Sequence, residues 1–147
     1  MTENRYRIRL ARWPKDRSAL RQVRETVFVQ EQNVPVELEW DGIDDQCLHL
    51  LAEDDQGNPI GTGRLLPDGH IGRMAVLREW RGKGVGTALL RTLMQEGEKR
   101  GFRKLVLAAQ LQAMPFYEKE GFVAQGNVFD DAGIPHRNMV WLKSRSK

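Results

Sequence analysis

The part of the sequence best suited to chemistry is a glycine-rich segment that carries two cations, Arg81-Gly82-Lys83-Gly84-Val85-Gly86-Thr87. Glycines let a ligand approach the backbone closely, and the unpaired N–H groups and dipole at the start of a helix favour negative charge. Arg81 and Lys83 add formal positive charge at the same place. Residues 81–87, the glycine loop, therefore predict a site for a phosphate-bearing ligand.

Two familiar phosphate-binding motifs do not fit the glycine loop. A nucleotide-binding P-loop ends in Gly-Lys-Ser or Gly-Lys-Thr, and the loop has no such ending. A dinucleotide fold needs a third glycine at position 87, which is Thr here, and an acidic residue about 20 residues later. The strand at that distance reads Lys104-Leu105-Val106-Leu107. Both classes of nucleotide site are therefore excluded.

The hydrophobic pattern predicts the elements that position this loop. Residues 84–100 have apolar side chains at helical spacing and are followed by Gly101, so the loop begins a helix. Apolar runs on either side predict an α/β architecture, an antiparallel meander joined to a strand–helix–strand crossover. The predicted strands cover 6–10, 47–52, 60–66, 70–77 and 105–109, with two more from Phe122 and near 137–142. Further helices run from Asp16 or Ser18 to about Gln30 and over 115–120, with an acidic loop or short helix between Pro35 and Asp45.

The composition indicates one folded domain over residues 1–147. Hydrophobic residues make up 40% of the chain and charged residues 29%. No apolar run could span a bilayer, and the start, Met1-Thr2-Glu3-Asn4-Arg5, leads into no signal-peptide core. The single cysteine, Cys47, fits a reducing compartment, and three scattered histidines do not make a metal site. We therefore expect a cytoplasmic protein with no metal and no membrane partner.

The net charge of +3 hides three segregated blocks. Residues 1–24 carry eight Lys or Arg, 36–55 carry eight acids without Lys or Arg, and 78–104 are basic again. The basic segments suggest nucleic acid, but no recognised nucleic-acid motif or paired aromatic stripe accompanies them. The acidic block would favour a cationic ligand such as an amine.

The motif that remains, Arg-x-x-Gly-x-Gly over residues 81–86, resembles the GNAT superfamily of acyl-CoA-dependent N-acetyltransferases. Residues 72–76 are similar to the fourth strand of that family, and 116–122 to its tyrosine-containing helix and the following strand. This similarity is strong over about residues 60–125. Segments outside that range resemble a subgroup related to ElaA, namely 23–32, Asp41-Gly42, His49 and 133–136. Residues 24–28 are also reminiscent of acyl-homoserine-lactone synthases, for which the chain is short.

The resemblance implies the fold, the acyl donor and most of the site. The implied fold is a GNAT fold, a mixed central sheet of about six to seven strands flanked by about four helices. The implied donor is acetyl-CoA, with its pyrophosphate against the glycine loop and its pantetheine arm along the fourth strand. Tyr117 is implied to protonate the departing thiolate. The implied contacts to acetyl-CoA are Met74, Ala75, Val76, Arg81, Gly82, Lys83, Gly84, Val85, Gly86, Thr87 and Gln110. Many members of the family carry Asn at the position of Gln110.

The group that deprotonates the amine is not identified by the sequence. Glu31 follows a helical segment expected to border the substrate cleft, and a solvated helix-end glutamate is the alternative. His49 and His136 are candidates for lining the acceptor site, against a core histidine and a turn residue, respectively. Cys47 lies in an apolar strand, which raises the pKa of a thiol. We therefore expect direct attack in a ternary complex rather than an acyl-enzyme.

Alternatives to an N-acetyltransferase remain open from the sequence. The chain can instead be a non-catalytic CoA-binding or sensing module that keeps the fold. A nucleic-acid binder that uses residues 1–24 is disfavoured because the motifs are lacking. The expected partner is a small-molecule or peptide amine, and a homodimer is left open.

Overall fold

The structure is a computed structural model that describes residues 5–143, and this part contains seven strands and four α-helices. Residues 1–4, on which the expectation of no signal peptide partly rests, lie outside the described range, as do residues 144–147. The strands are β1 (Tyr6–Ala11), β2 (Leu48–Asp54), β3 (Pro59–Leu65), β4 (Ile71–Val76), β5 (Lys104–Gln110), β6 (Val123–Asp131) and β7 (Ile134–Leu142). The helices are α1 (Trp13–Arg24), α2 (Val36–Glu39), α3 (Val85–Lys99) and α4 (Met114–Glu118).

The strands form two antiparallel sheets that meet at β4 and β5. The strand order is β1-β2-β3-β4 in the first sheet and β5-β7-β6 in the second. A parallel bridge between His70 and Val106 joins them at the start of β4. The predicted α/β fold class, with its seven strands and four helices, is confirmed. The expected single mixed sheet is divided along β4 and β5, and this division leaves room for a cavity between the two sheets.

The main core lies between α3 and the two sheets. Leu89 and Leu93 on α3 are fully buried. The helix lies close to β3 because Gly61 has no side chain: a Cβ there would lie 3.0 Å from Leu89 Cδ1 and 3.2 Å from the Ala75 carbonyl oxygen. This close approach fixes the start of α3, and with it the glycine loop, against the end of β4.

Substituting valine at Gly61 should therefore destabilise the fold. The added side chain would be forced against α3 and the β4 backbone, which costs about 1–3 kcal/mol for an overpacked core. Urea denaturation measures the loss of unfolding free energy. Gly72→Val is the matched control, because a Cβ at Gly72 meets nothing within 4 Å. An equal loss in both variants would contradict the close helix–sheet approach.

The first helix begins earlier than predicted and changes its form near its end. It starts at Trp13, with a proline in the first turn, rather than at Asp16 or Ser18. Asp16 instead accepts a hydrogen bond from the Arg12 backbone N–H at 2.9 Å. After α1 the chain continues as a π-helix over Glu25–Glu31, a form that is frequent at functional sites.

Two features are absent from residues 5–143. Within this range, none of the helices combines the length and the apolar character needed to traverse a membrane. Over the same residues, no three or more His, Cys, Asp and Glu side chains are grouped so that they could hold a metal ion.

Candidate active site

The glycine loop joins β4 to α3 and forms the N-terminal end of that helix. Gly82 and Gly84 have φ values of 75° and 88°, in the left-handed region that glycine adopts without strain. No side chain caps α3, so the N–H groups of its first three residues have no partner in the described part of the chain. The first turn of α3 also carries no acidic residue. The loop thus presents backbone donors and the positive end of the helix dipole, which suits a diphosphate.

Strand β4 offers backbone donors because it is the edge strand of its sheet. The Leu77 N–H donates to the Ile60 carbonyl at 2.9 Å, so the preceding residue, Val76, points its backbone groups away from β3. The Arg81 Nε donates to the Val76 carbonyl at 2.9 Å, which fits this direction. The N–H of Val76 therefore faces the side on which the two sheets separate.

A cavity of about 690 Å³ opens between the sheets. It is lined by five residues that the sequence assigned to the site, Met74, Arg81, Gln110, Tyr117 and His136. Ala75, Val76 and residues 82–87 are outside this lining and continue from it along β4 to the start of α3. The sequence reasoning missed Phe28 and Gln32, which also line the cavity. The only feature of the sequence that could have indicated these two residues is that both lie in the segment 23–32, which resembles the ElaA subgroup.

Tyr117 has its ring in the core and lines the cavity from α4. The ring packs edge-on against Phe116 and Phe122, with centroid distances of 4.9 and 6.1 Å. Its hydroxyl makes no hydrogen bond to any described residue. Burial raises the pKa of Tyr117 to about 12, so the hydroxyl is protonated at neutral pH and able to donate.

Gln110 belongs to a chain of side-chain amides at the rim of the cavity. Its Nε2 donates to Gln32 Oε1 at 2.9 Å, and its Oε1 accepts from Gln112 Nε2 at 2.6 Å. A contact between Gln110 and CoA would have to replace or share one of these hydrogen bonds. That contact remains a prediction.

The two cations of the glycine loop differ in their surroundings. Arg81 donates from Nη1 and Nη2 to the Glu31 carboxylate at 2.6 and 2.8 Å. Lys83 is exposed and makes no hydrogen bond or ion pair within residues 5–143. Lys83 is therefore the cation available to a phosphate. Arg81 instead ties the π-helix to the end of β4.

Glu31, a candidate for the catalytic base, is engaged by this ion pair. The hydrogen bond from Arg81 lowers the pKa of the Glu31 carboxyl below its usual range. A carboxylate with a lowered pKa has little tendency to accept a proton from an amine. The geometry gives Glu31 the role of holding Arg81 in place.

The two candidate acceptor-site histidines lie in different places. His136 lines the cavity, and its Nδ1 is 2.7 Å from the Ile134 carbonyl oxygen. Because a carbonyl only accepts, Nδ1 carries the proton and Nε2 keeps the lone pair of the neutral ring. His49 is not brought to the cavity: its Nε2 contacts the Asp44 carbonyl at 2.7 Å and its ring stacks on Trp13. Burial lowers the pKa of His49, so it is a neutral packing residue.

A buried ion network that the sequence did not predict lies beside the cavity. Arg24 donates to the carboxylates of Glu39 and Asp44, both at 2.8 Å. Arg64 donates to Asp44 at 2.9 Å and to Asp41 at 2.7 Å. The members are Arg24, Glu39, Asp41, Asp44, Arg64 and Arg73.

This network changes the interpretation of the acidic block 36–55. Three of its carboxylates are bound by three arginines from other elements, so their charges are balanced inside the protein. Although burial raises the pKa of Asp41, the hydrogen bonds from Arg64 hold it at about 2. The block is therefore not a cluster of eight free negative charges, because these three carboxylates already have arginine partners. Its attraction for a cationic amine stays a prediction.

Known proteins share both the sequence and the fold. Residues 17–143 match the acetyltransferase (GNAT) domain. The uncharacterized N-acetyltransferase YjcF of Bacillus subtilis (strain 168) is 41% identical over 122 residues, which cover 80% of this chain and 86% of that protein. An acyl-CoA N-acyltransferase from Pseudomonas aeruginosa has a TM-score of 0.82 at 32% identity, over 92% of this chain and 99% of that one.

Escherichia coli ElaA shares the fold with a TM-score of 0.82 at 27% identity, over 92% of this chain and 99% of that one. The family and the subgroup that the sequence resembles are therefore confirmed. Because the GNAT match extends over nearly the whole described range, the chain belongs to the GNAT family and is an acyltransferase.

Proposed function

We propose that this chain transfers an acetyl group from acetyl-CoA to a primary amine of a small molecule or peptide. The observation that carries the proposal is that three groups follow one another from the start of α3, along the end of β4, to the cavity. These are the unpaired first turn of α3, the outward-facing N–H of Val76 and the hydroxyl of Tyr117. In this order, the three groups could bind the acyl donor, stabilise the oxyanion and protonate the thiolate that leaves.

Acetyl-CoA would bind in one orientation, with its diphosphate at the glycine loop and its thioester at the cavity. The diphosphate of acetyl-CoA would lie on the glycine loop, where Lys83 is available and backbone donors are unpaired. The pantetheine arm would then lie along the free edge of the chain at the Val76 end of β4. This places the thioester next to the outward-facing Val76 N–H and the cavity.

The reaction is a direct substitution at the thioester carbonyl carbon. The amine nitrogen bonds to this carbon, and the Val76 N–H donates a hydrogen bond to the developing oxyanion. The C–S bond then breaks, and Tyr117 passes its proton to the sulfur that leaves. The phenolate regains the proton that the amine has lost, so the products are an amide and the free thiol of CoA.

The amine must lose a proton before or during attack. A lysine-like amine with a pKa of about 10.4 is neutral in fewer than roughly one molecule in a thousand at pH 7. Glu31 is engaged by Arg81, whereas two side chains that line the cavity keep an unpaired lone pair, His136 at Nε2 and Glu39 at Oε1. Burial raises the pKa of Glu39, which makes it a better proton acceptor than an ordinary carboxylate.

The rate should not fall at alkaline pH through loss of the Tyr117 proton. A raised pKa means that the acid form persists to higher pH, and with a pKa of about 12 the hydroxyl stays protonated through pH 10. We expect kcat/KM for an alkylamine to rise from pH 6 to about pH 10 as the amine deprotonates. A decline with a midpoint near the ordinary tyrosine pKa of about 10, in a chain still folded by circular dichroism, would contradict the buried acid.

Thiol release from acetyl-CoA in the presence of a panel of amines tests the function. We expect release that requires both acetyl-CoA and an amine and that scales with enzyme concentration. A non-catalytic CoA-binding module would bind acetyl-CoA without thiol release for any amine. Calorimetric titration with CoA, run on the same preparation, separates that outcome from a chain that does not bind the donor at all.

A further inference from the structure

Arg73 is an arginine with an unused donor group at the wall of the cavity. It lies on a β-bulge of β4 with a φ of 50°, directly before Met74, and its side chain is 25% exposed. Its Nη2 donates to the Glu39 carbonyl at 3.1 Å and to Asp41 at 3.2 Å. Its Nη1 has no partner among the described residues. A guanidinium left partly unpaired beside a reaction site is suited to an anionic oxygen of a ligand.

Glu39 lies beside Arg73, and the two side chains form a pair of opposite charges. Arg73 Nε is 3.1 Å from Glu39 Oε2 but is not aligned for a hydrogen bond. Arg24 donates to the same Oε2 at 2.8 Å, whereas Oε1 accepts no hydrogen bond from residues 5–143. Both Arg73 and Glu39 line the cavity, so an unused cationic donor and an unused anionic acceptor lie side by side.

A second arginine supports the same end of the cavity. Arg64 also lines it and is 4% exposed. The Arg64 Nη atoms are bound by Asp41 and Asp44, but its buried Nε has no hydrogen-bond partner. A buried unpaired donor is costly unless a ligand or a shift of the side chain satisfies it.

We propose that the acceptor is an α-amino acid whose carboxylate binds Arg73 and whose amine lies against Glu39. This assignment rests on the proposed acetyl transfer and names the acceptor class of that same site. The ligand carries one positive and one negative charge, and so does the Arg73–Glu39 pair, so binding leaves no uncompensated charge in a partly buried place. A planar carboxylate also matches the fork of a guanidinium.

The position of the pair along β4 is consistent with acyl transfer to this amine. Arg73 and Val76 are three residues apart, which corresponds to at most about 10 Å along a strand that carries a bulge at Arg73. The donor enters from the Val76 end, and the acceptor would bind at the Arg73 end. The thioester therefore meets the amine between them, on the side of the cavity that Tyr117 lines.

Matched sets of acceptors test the proposal directly. Each set contains an amino acid, its carboxamide and its decarboxylated amine, for example phenylalanine, phenylalaninamide and phenethylamine. We expect kcat/KM for the free amino acid to exceed that of the other two by at least about tenfold. The carboxamide has the less basic amine, so it is more often neutral at pH 7 and the comparison is biased against the proposal. An equal or higher kcat/KM for the carboxylate-free amines would overturn it.

For each variant, the quantity measured is the ratio of kcat/KM for the free amino acid to kcat/KM for the carboxylate-free members of the set, rather than the absolute rate. Arg73→Gln should bring the ratio close to one, and Arg73→Lys should give an intermediate value because it keeps the charge and loses the fork. Arg91→Gln is the matched control, because Arg91 is an exposed arginine of α3 that pairs with Glu120. This control should keep the wild-type ratio. If Arg73→Gln lowered all three members of a set equally, Arg73 would be structural and the proposal would fail.

A binding measurement separates this proposal from the proposed function and does not depend on how well the variants fold. With CoA present, N-acetylphenylalanine should raise the melting temperature of the wild-type chain, and N-acetylphenylalaninamide should not. Carboxylate-dependent binding without acetylation of any amine would support the carboxylate site at Arg73 but refute the transferase, and with it the role of the amino acid as acceptor. Acetylation of amines without any preference for the carboxylate would support the transferase and refute the amino-acid acceptor. Neither acetylation nor carboxylate-dependent binding would refute the two proposals together.

Discussion

Replacing Tyr117 with phenylalanine should lower kcat by roughly 10²- to 10⁴-fold, the range expected when a positioned general acid is removed. The hydroxyl makes no hydrogen bond to residues 5–143, so its loss leaves no partner unsatisfied and the unfolding free energy should not fall. The ring contacts with Phe116 and Phe122 remain in the variant. Affinity for acetyl-CoA should stay within about threefold, because an interaction made only in the transition state changes kcat and not ground-state binding.

Steady-state kinetics and a CoA titration on the same protein measure both effects. Tyr6→Phe is the matched control for kcat, since Tyr6 is the other tyrosine of the chain and its hydroxyl lies beside Gly84 of the glycine loop and not at the cavity where the acyl group would react. This control should keep the wild-type kcat. Full turnover in Tyr117→Phe would remove Tyr117 from the mechanism and require another source for the proton on sulfur.

The second large effect should come from Gly84→Asp, which is expected to weaken CoA binding by at least about 100-fold, or roughly 2.7 kcal/mol. Gly84 has a φ of 88° and immediately precedes the first turn of α3. A carboxylate there would occupy the helix N-terminus that is proposed to receive the diphosphate and would repel it. The new Cβ itself fits, since the nearest atom is the Tyr6 hydroxyl oxygen at 3.6 Å.

Backbone strain alone must be separated from this charge effect. Gly101→Asp is the control, because Gly101 has a similar φ of 85° and an added Cβ there meets nothing within 4 Å. It follows the opposite end of the same helix, about 22 Å away for 15 residues of α-helix. Both variants should lose stability, and only Gly84→Asp should lose CoA binding. Normal CoA affinity in Gly84→Asp would show that the glycine loop is not the diphosphate site.

The sequence was sufficient to predict most of the strands and helices because these depend on local patterns. Continuous apolar residues over 105–109 predicted a buried parallel strand; the strand is present as β5, but its burial alternates and its pairing with β7 is antiparallel. Helical spacing and Gly101 predicted α3 with its end correctly placed to within about a residue. The glycine loop is a contiguous segment, so its donors and cations could be recognised without any knowledge of the fold.

The acceptor side could not be predicted in the same way because its contacts join distant parts of the chain. The buried network pairs Arg24 of α1 with Glu39 of α2 and Asp44, and a charge count along the sequence does not reveal such pairing. Glu31 was considered as a base because a helix was expected to reach the cleft. The structure instead directs it to Arg81, 50 residues later in the chain.

Strand register explains why the two histidines that the sequence assigned to the acceptor site differ. Both were predicted in or beside strands, and alternation alone does not say which face of a strand lies towards the ligand. His49 lies on β2 opposite Arg64 and stacks on Trp13, whereas His136 lies on β7 opposite Gln110 and lines the cavity. The division of the sheet at β4 and β5 also arises from tertiary structure, and it creates the cavity that His136 reaches.

The proposed direct transfer of an acetyl group from acetyl-CoA to an amine within one ternary complex forms no acetyl-enzyme intermediate. A single-turnover experiment with acetyl-labelled acetyl-CoA, excess enzyme and the best amine of the panel tests it most directly. We predict that the label appears in the N-acetylated amine at the rate of thiol release and that none becomes covalently attached to the protein. Label on the protein before product forms, or label recovered only as free acetate, would contradict the account.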